Sequence, residues 1–572
     1  MGNNQKLELT WFGKEEEIKI EPRILIEDKE KSNCENDTNT QNMIIHGDNL
    51  LALKALESKY AGQVKCIYID PPYNIAVANP NYDDNLLNSQ WLNLMKPRLQ
   101  LLWKLLTKDG LLAVQIDDEQ FAKLFLMLEE ICSQKKMKII CVKMSEPTGV
   151  KMASVNKSGS IPKLKEFIIL AKKDGIKNLN LEKIPKGKWD NEYRTYISNI
   201  SDNNLEIVKS FLRGESTNSE TNIDNILEKI TFDNINEIAK SQGYTKADDE
   251  WCYENAKRII QIATLTGGAR KLAEEKKLTG YCKGAFVIET TTGKRYAIKS
   301  DFNHKTKLPR CKLLFADDYL TVNIGDLWTD IKTTGLDNEG VVEFKNSKKP
   351  EKLIKRIIQL NTNEGDLVLD SFLGSGTTCA VAHKMNRRYI GIEMGDHAYT
   401  HCKVRLDKVI DGSDQGGISK SVNWQGGGAY KFYELAPTLI NKDDFGEYVI
   451  NKEYDADMLA SAVALHEGFS YEPDNTIFWK QSKGNENSYL FVTTRHLNST
   501  YIDSIESTME DGEYLIIACK SFENGIDKLY SNITIKKIPQ MLLSRCEFDK
   551  ENYNLNIINP PIYDYEEELE DE

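Results

Sequence analysis

Apolar runs alternate with amphipathic stretches in the first part of the chain, and this alternation predicts strands separated by helices. The apolar runs are short and rich in Ile, Leu and Val, whereas the stretches between them place leucines at helical spacing. Asp117-Asp118 is expected to cap the third helix. The predicted strands are residues 43–46, 66–69 and 111–116, and the predicted helices are residues 50–59, 91–106 and 119–132. This rhythm is typical of a parallel sheet with helical crossovers.

Two further apolar runs, residues 139–142 and 167–170, are separated by a loop rich in Lys, Ser and Gly, and they predict an antiparallel pair. After a long polar interruption the strand–helix rhythm returns. The predicted helices there are residues 352–359, 377–385 and 399–409, and the predicted strands are residues 367–370 and 389–393. Two α/β segments therefore flank an insert.

The insert, from about residue 178 to 335, is Asn-rich and looks irregular. We expect helices near residues 203–213 and 250–265 and strand-like pieces at residues 284–289 and 295–298. A last segment carries predicted strands at residues 490–493 and 514–519. The predicted division is an N-terminal extension (1–36), the first α/β half (37–175), the insert (176–335), the second α/β half (336–430) and a C-terminal domain with an acidic tail (431–572).

Composition narrows the class of protein. No apolar run approaches the roughly 18 residues that a membrane span needs, and no apolar signal region is visible at the N-terminus. The 11 cysteines form no CxxC pair, which indicates reduced thiols in a cytosolic protein. The net charge is −13, yet residues 135–173 and 294–312 are strongly basic. These stretches either follow nucleic-acid phosphates or are solvated helix faces, and the sequence leaves both readings open.

The most informative stretch is Asp70-Pro71-Pro72-Tyr73, which follows a predicted strand. A carboxylate at the carboxyl end of such a strand lies where open α/β sheets form their ligand crevices. The two prolines fix the backbone and remove two N–H donors, so the carbonyl oxygens remain as acceptors. Together with the tyrosine ring, this predicts a site for an amino group on a flat base.

A second motif, residues 370–378, joins a predicted strand to a helix. Its glycines, Gly374 and Gly376, allow a ligand to approach the backbone at a helix N-terminus. Cys379 replaces the third glycine of a dinucleotide fingerprint, and a P-loop lysine is lacking. Glu393 ends the next predicted strand, where an acid can accept both ribose hydroxyls. A nucleoside-type cofactor is therefore predicted.

Together these residues resemble the β class of S-adenosylmethionine-dependent DNA amino-methyltransferases. In that class the catalytic Asp-Pro-Pro-Tyr precedes the cofactor loop Phe-x-Gly-x-Gly, with the target-recognition region between them. Here Asp70-Pro71-Pro72-Tyr73 and residues 372–376 stand in that order. Other stretches are similar to the Mod subunits of type III restriction–modification systems: residues 7–14, 46–50, 91–98, 325–328 and 414–418.

The resemblance implies a Rossmann-like α/β methyltransferase sheet, circularly permuted and mostly parallel with an antiparallel hairpin. It also implies an inserted target-recognition domain and a smaller C-terminal α/β domain. The strand before Asp48 should lie beside the strand that ends at Glu393. The implied cofactor is S-adenosyl-L-methionine, and the implied partners are double-stranded DNA, a second copy of the chain and a helicase-nuclease restriction subunit.

The resemblance also assigns roles to residues. Asp70 and the Pro71 carbonyl would accept the hydrogens of an adenine amino group, Pro72 would stiffen the turn, and Tyr73 would stack on the flipped base. Aspartate at the first position favours adenine N6 over cytosine N4 within this family. The implied cofactor-binding residues are Asp48 at the adenine, Glu393 at the ribose, Lys348 or Lys349 at the methionine carboxylate, and Asp70, Asp370, Phe372, Gly374, Gly376 and Thr377 around the loop.

Other readings of the same residues remain. Asp117-Asp118 could bind a metal but is expected to be a helix cap, and a zinc site at His397, His401 and Cys402 is not expected because no second cluster accompanies it. At the level of function, the alternatives are a solitary methyltransferase, a DNA-binding specificity protein with an inactive methyltransferase fold, and a methyltransferase acting on RNA or a protein glutamine.

Overall fold

The computed structural model describes residues 8–16, 18–74, 88–145, 159, 161–281, 283–303, 305–332, 336–340, 348–543 and 545–548. The chain divides into two compact units. One unit comprises residues 182–324, and the other comprises the sequence before and after it.

The strands are β1 (Leu25–Asn33), β2 (Met43–His46), β3 (Val64–Ile69), β4 (Leu106–Ile116), β5 (Met137–Lys143), β6 (Lys165–Lys172), β7 (Lys183–Pro185), β8 (Thr195–Ser198), β9 (Thr231–Asn234), β10 (Ile259–Thr264), β11 (Ala285–Glu289), β12 (Arg295–Lys299), β13 (Arg310–Phe315), β14 (Thr321–Asn323), β15 (Leu327–Trp328), β16 (Leu367–Asp370), β17 (Arg388–Glu393), β18 (Tyr430–Leu435), β19 (Ile440–Lys442), β20 (Tyr448–Ile450), β21 (Ser470–Tyr471), β22 (Ser482–Lys483), β23 (Ser488–Leu497), β24 (Tyr514–Phe522) and β25 (Ile533–Lys537).

The helices are α1 (Asn49–Tyr60), α2 (Asn88–Leu105), α3 (Asp118–Cys132), α4 (Asp202–Arg213), α5 (Glu220–Leu227), α6 (Ile235–Ser241), α7 (Asp249–Glu254), α8 (Gly267–Leu278), α9 (Glu351–Asn361), α10 (Thr377–Lys384), α11 (Val404–Ile410), α12 (Ala456–Glu467), α13 (Ser499–Glu506) and α14 (Gln540–Leu543), with a π-helical turn at Ala398–Lys403 before α11.

The larger unit is built on a ten-stranded sheet of order β1-β18-β2-β17-β16-β3-β4-β6-β5-β15. From β18 to β4 all neighbours run parallel, while β6 is antiparallel to both β4 and β5. The prediction of a permuted, mostly parallel sheet with an antiparallel hairpin is confirmed. The strand before Asp48 lies beside the strand that ends at Glu393, since His46 pairs with Glu393.

The sequence predicts one or two short strands in the N-terminal extension, but it did not predict which strands complete this edge of the sheet. β18 pairs with β2 in parallel, and β1, from the N-terminal extension, pairs with β18 in antiparallel fashion. β18 begins at residue 430, where the second α/β half was expected to end, so residues 431–435 still belong to this sheet.

Burial explains why these strands and helices form. The side chains of β2, β3, β16 and residues 111–116 of β4 are almost entirely buried, as expected of parallel strands covered on both faces. α1, α2 and α3 contribute leucines to the same core. Asp117 caps α3 as predicted, because its carboxylate accepts hydrogen bonds from the backbone N–H groups of Glu119 and Gln120.

The helix predicted over residues 91–106 differs at its end. α2 stops at Leu105, and Leu106 instead begins β4, where it pairs with Val64. A register shift follows, because Cys66 pairs with Leu111 and the intervening residues are accommodated as an irregularity in the strand. Pairing with β3 therefore outweighs the helical spacing of the leucines.

The unit of residues 182–324 is a six-stranded sheet of order β11-β12-β13-β10-β8-β9, and all its pairs are antiparallel. The predicted helix at residues 250–265 is wrong in its second half. α7 ends at Glu254, and Ile259–Thr264 is the strand β10 because Ile259 and Ile260 are fully buried between β13 and β8. Ile324 N–H donates to the Glu182 carbonyl at 3.1 Å, so the two ends of this unit are adjacent.

The C-terminal part holds a five-stranded sheet of order β21-β22-β23-β24-β25, in which β23, β24 and β25 run parallel. The predicted strands at residues 490–493 and 514–519 lie within β23 and β24. α12 and α13 pack on this sheet through apolar side chains. None of the helices in the described ranges is long and apolar enough to span a membrane.

Candidate active site

Three acidic residues stand at the carboxyl ends of adjacent parallel strands. Asp70 follows β3, Asp370 ends β16 and Glu393 ends β17. The pairing of Leu369 with Ile67 and of Asp370 with Gly391 brings these strand ends to one edge of the sheet. This is the edge at which open α/β sheets form ligand crevices.

Asp70 lies in a network of charged and polar side chains. The Tyr73 hydroxyl is 2.7 Å from Asp70 Oδ1, and Lys349 Nζ is 3.3 Å from Asp70 Oδ2. Trp91 Nε1 donates to the Pro72 carbonyl at 2.8 Å, which fixes the turn after the strand. The structure thus brings Lys349 to Asp70 although the two residues are far apart in the chain.

Glu166, which the sequence did not single out, completes this network. Its Oε2 is 2.8 Å from the Tyr73 hydroxyl and 3.1 Å from Lys349 Nζ, and it also accepts a hydrogen bond from Gln115 Nε2. β6 is antiparallel to β4, so Glu166, near the start of β6, reaches the edge where β3 and β4 end. One signal was present in the sequence: Glu166 is one of two acids in the lysine-rich stretch of residues 135–173.

Burial and charge together set the protonation of this network. Burial raises the pKa of Asp70, Glu166 raises it further, and Lys349 opposes both. Burial also favours the neutral form of Glu166, but Lys349, Gln115 and Tyr73 outweigh it and hold the Glu166 pKa below its ordinary value. The pKa of Lys349 is raised, since the two carboxylates outweigh burial. Burial and the same carboxylates raise the pKa of Tyr73 well above its ordinary value, so its hydroxyl stays protonated.

The second motif forms a tight turn between β16 and α10. Gly374 and Gly376 have φ values of +55° and +78°, which favour glycine. A Cβ atom on Gly376 would also lie 3.1 Å from the Cys402 Cα of the π-helical turn. The turn therefore requires glycine at position 376, both for its backbone conformation and for the close packing behind the loop.

Asp370 and Glu393 hold the two ends of this turn. Asp370 accepts hydrogen bonds from the Thr378 hydroxyl and from Phe372 N–H, and burial raises its pKa to about 7. The Glu393 carboxylate accepts from Gly374 N–H at 2.7 Å and from Gly395 N–H at 3.1 Å. Burial raises the Glu393 pKa although these bonds oppose it. Each carboxylate keeps further lone pairs for a ligand.

A cavity joins the two motifs. Its walls include Asp70 and Lys349 on one side and the turn after β16 on the other. Six of the predicted cofactor-binding residues line it: Asp70, Lys349, Asp370, Phe372, Gly374 and Thr377. Motifs that are about 300 residues apart in the sequence therefore face one space.

Asp48 has a local role in this structure. Its carboxylate caps α1 through the N–H groups of Leu50 and Leu51 and pairs with Arg98 at 3.0 Å. The neighbouring Asn49 donates to the Ser371 carbonyl at 2.7 Å, which ties the start of α1 to the glycine turn. Asp48 thus fixes the start of α1, and Asn49 connects that start to the turn.

A buried ion cluster lies behind the glycine turn. Glu351 pairs with Lys384 at 3.0 Å and with Arg405 at 2.7 Å, and Lys384 also pairs with Asp414 at 2.8 Å. The paired side chains are fully buried. Arg405 donates to the Thr377 hydroxyl at 2.7 Å, which links the cluster to the turn. The stretch at residues 414–418 therefore contributes to the support of the turn.

The residues considered for zinc have other contacts. The His397 and His401 rings lie 5.1 Å apart, and Cys402 Sγ donates to the Gly374 carbonyl. In the described ranges, no group of three or more His, Cys, Asp or Glu side chains is arranged to hold a metal. Cys402 is part of the packing behind the glycine turn.

The comparison with known proteins gives the family. A family model described as DNA methylase matches residues 64–403, from β3 to the π-helical turn. The chain belongs to the DNA methylase family. This match includes both motifs and the insert between them, so the predicted family is confirmed.

Curated relatives are similar over most of the chain. The "Probable type III restriction-modification enzyme HindVI Mod subunit" of Haemophilus influenzae is 36% identical over 429 residues, which is 70% of this chain and 54% of that protein. The type III restriction-modification enzyme StyLTI Mod subunit of Salmonella typhimurium is 25% identical over 392 residues, 64% of this chain and 53% of that protein. The chain therefore spans about half the length of these relatives.

Among solved structures, PvuII DNA methyltransferase (cytosine-N4-specific) is 14% identical, with a TM-score of 0.29 and coverage of 68% of this chain and 95% of that one. The α/β architecture of this chain follows from the strand order of its ten-stranded sheet, and it does not depend on this comparison.

Proposed function

We propose that this protein transfers a methyl group from S-adenosyl-L-methionine to the N6 atom of an adenine that is flipped out of duplex DNA. The observation that carries the proposal is the shared cavity, because Asp70 and the glycine turn face the same space. Membership of the DNA methylase family supports the reaction class. The aspartate at position 70 supports adenine over cytosine through the family resemblance.

The residues around the turn fit the cofactor by their donor and acceptor chemistry. Glu393 has acceptor capacity for the ribose hydroxyls, and Asp48 lies at the neighbouring strand end for the adenine. Lys349 lines the cavity, so its ammonium would be available to the methionine carboxylate. When bound, S-adenosyl-L-methionine supplies a methyl group on a positively charged sulfur.

The chain's own residues would then orient the target base. The adenine amine is a poor nucleophile because its lone pair is delocalised into the ring. Asp70 Oδ and the Pro71 carbonyl would accept its two hydrogens, which directs the lone pair at the methyl group and stabilises the positive charge that develops on nitrogen. Tyr73 would stack on the flipped ring, a contact worth roughly 1–3 kcal/mol.

We further propose that the protein is the modification subunit of a type III-like restriction–modification system in the cytoplasm. Its partners would be double-stranded DNA, a second copy of the chain and a helicase-nuclease restriction subunit. The similarity to two type III Mod subunits supports this role. The unit of residues 182–324 would read the DNA sequence, since it lies between the two motifs in the chain.

Methylome sequencing of cells that express this chain tests the proposal. We expect N6-methyladenine in one sequence context with the unaltered chain and none with Asp70→Ala, which should still bind duplex DNA. Methylation of cytosine, RNA or protein by the unaltered chain would contradict the substrate. A chain that binds DNA without methylating any substrate would instead be a specificity protein with an inactive methyltransferase fold.

A further inference from the structure

The Tyr73 hydroxyl stands between two carboxylates that compete for it. Its oxygen is 2.7 Å from Asp70 Oδ1 and 2.8 Å from Glu166 Oε2, and Lys349 Nζ donates to it at 2.8 Å. A phenol has a single hydrogen to donate. It can therefore satisfy only one of the two carboxylates at a time.

Lys349 stands between the same two carboxylates. Its Nζ is 3.3 Å from Asp70 Oδ2 and 3.1 Å from Glu166 Oε2. Tyr73 and Lys349 thus each contact Asp70 and Glu166 at similar distances. Glu166 itself is held by Gln115, which in turn accepts a hydrogen bond from Tyr68 at 2.6 Å.

We infer that Glu166 is a positioning residue for methyl transfer: it takes over the Tyr73 hydroxyl and the Lys349 ammonium when the target amino group binds to Asp70. This inference rests on the proposed function. Without such a residue the target amine would meet an occupied acceptor, because the Asp70 carboxylate is already bonded to the Tyr73 hydroxyl. With Glu166 as the second acceptor, Asp70 is released while the Tyr73 ring stays fixed for stacking on the base.

A consequence for pH dependence follows from the groups around Asp70. Among the residues that the structure describes, the titratable side chains that interact with Asp70 include Tyr68, Tyr73, Glu166, Lys349 and Asp370. Of these, Glu166 raises the Asp70 pKa and Lys349 lowers it. Replacing Glu166 with a neutral residue removes a negative charge that raises the Asp70 pKa, while the Lys349 ammonium, which lowers it, stays. The acid limb of the activity profile should therefore move to lower pH.

The variant Glu166→Gln tests the inference in the full chain with duplex DNA. We expect kcat to fall about tenfold to a hundredfold, the effect of losing a hydrogen bond to a charged acceptor, while the KM for S-adenosyl-L-methionine changes little. In a Tyr73→Phe background the same substitution should cost much less, because the hydroxyl that Glu166 receives is absent. Glu119→Gln, an exposed acid on α3, is the matched control and should behave as the unaltered chain.

The outcomes separate this inference from the function on which it rests. If the unaltered chain methylates DNA and Glu166→Gln has the same kcat and the same acid limb, the inference is wrong and the function stands. If the unaltered chain methylates no DNA, the proposed function is wrong. Should Glu166→Gln fail to fold, Glu166→Asp replaces it, because the shorter carboxylate cannot reach both partners. A kcat equal to that of the unaltered chain would then overturn the inference.

Discussion

The Asp70 carboxylate is subject to two opposing effects on its charge, burial and a neighbouring cation. In the proposed reaction Asp70 must be ionised to accept the hydrogens of an amine, yet burial disfavours its charge. Lys349 resolves this conflict, since its ammonium lies 3.3 Å from Asp70 Oδ2 and lowers the Asp70 pKa. The site therefore depends on a cation that comes from the distant second half of the chain.

Replacing Lys349 with methionine should shift the pH dependence of methyl transfer. Without the ammonium the Asp70 pKa rises, so Asp70 is protonated over a wider acid range and the acid limb of the kcat/KM profile moves to higher pH. This direction is opposite to that expected for Glu166→Gln. Lys355→Met is the control, because the Lys355 ammonium donates to Ser421 on the outside of α9. An unchanged acid limb in Lys349→Met would contradict the role given to this ion pair.

Asp370 should make the protein less stable as the pH rises. Its pKa is about 7 in the folded protein against an ordinary value of 3.8, so the folded state binds the extra proton between these values. Stability from this group is present below about pH 4 and is lost as the pH rises through 7. In Asp370→Asn, the free energy of unfolding relative to the unaltered chain should increase with pH by at most about 1.4 kcal/mol per unit. Urea unfolding at pH 5 and pH 8 measures this difference.

Individual site residues could be predicted from the sequence where they belong to a short motif of neighbouring residues. Asp70, Tyr73, Gly374 and Glu393 stand in or beside short motifs, and the structure brings them to one edge of the sheet. Glu166 was not predictable in this way because its relation to Asp70 exists only after β6 pairs with β4. Their roles in catalysis and cofactor binding remain predictions that the experiments above address.

At the scale of elements, the glycine turn depends on the helices behind it. α9, α10 and α11 each supply a member of the buried ion cluster: Glu351, Lys384 and Arg405. A buried cluster of this kind adds little net stability, but removing one partner leaves a charge without compensation. The cluster therefore couples the packing of three helices to the conformation of the turn.

The substitution Glu351→Gln should destabilise the protein by about 3–5 kcal/mol, since Arg405 and Lys384 lose their shared buried carboxylate. Cofactor binding should weaken as well, because Arg405 bonds to the Thr377 hydroxyl in the turn. Chemical unfolding and calorimetric titration with S-adenosyl-L-methionine measure the two effects. Glu364→Gln changes an exposed acid after α9 and should stay within about 0.5 kcal/mol of the unaltered chain. Equal stability of both variants would argue against the cluster as a support.

Helices and strands were predicted well where the apolar pattern alone determines the element. They were predicted less well where pairing with a distant strand determines whether a segment is helix or strand. The strands that lead to Asp70 and Glu393 are mostly apolar and were predicted closely. Leu106 and residues 259–264 were assigned to helices because of their apolar spacing. In the structure they form strands, because they pair with strands that are distant in sequence. β18 and β1 were missed as neighbours for the same reason, because no local pattern reports a partner some 400 residues away.

For the whole molecule, the insert has the properties of an independent domain. It has its own six-stranded sheet and its own apolar cores, and its two ends are joined by the hydrogen bond between Ile324 and Glu182. We expect residues 182–324, produced alone, to unfold in a single cooperative transition by circular dichroism. The remainder, with a short Gly/Ser linker in place of the insert, should keep cofactor binding but lose sequence-specific DNA binding. A non-cooperative melt of the isolated insert would show that its fold needs the rest of the chain.

The permuted strand order also governs when the protein can fold during synthesis. β3 and β16 are neighbours in the sheet, yet Cys66 and its partner Val368 are separated by about 300 residues. At roughly 5–20 residues per second, a ribosome needs about 15–60 s to make the intervening chain. During that time β3 and β4 emerge without the strands that complete the sheet, while the insert can already fold. The nascent chain can thus complete the unit of residues 182–324 before β16 and the glycine turn, which line the shared cavity, have been made.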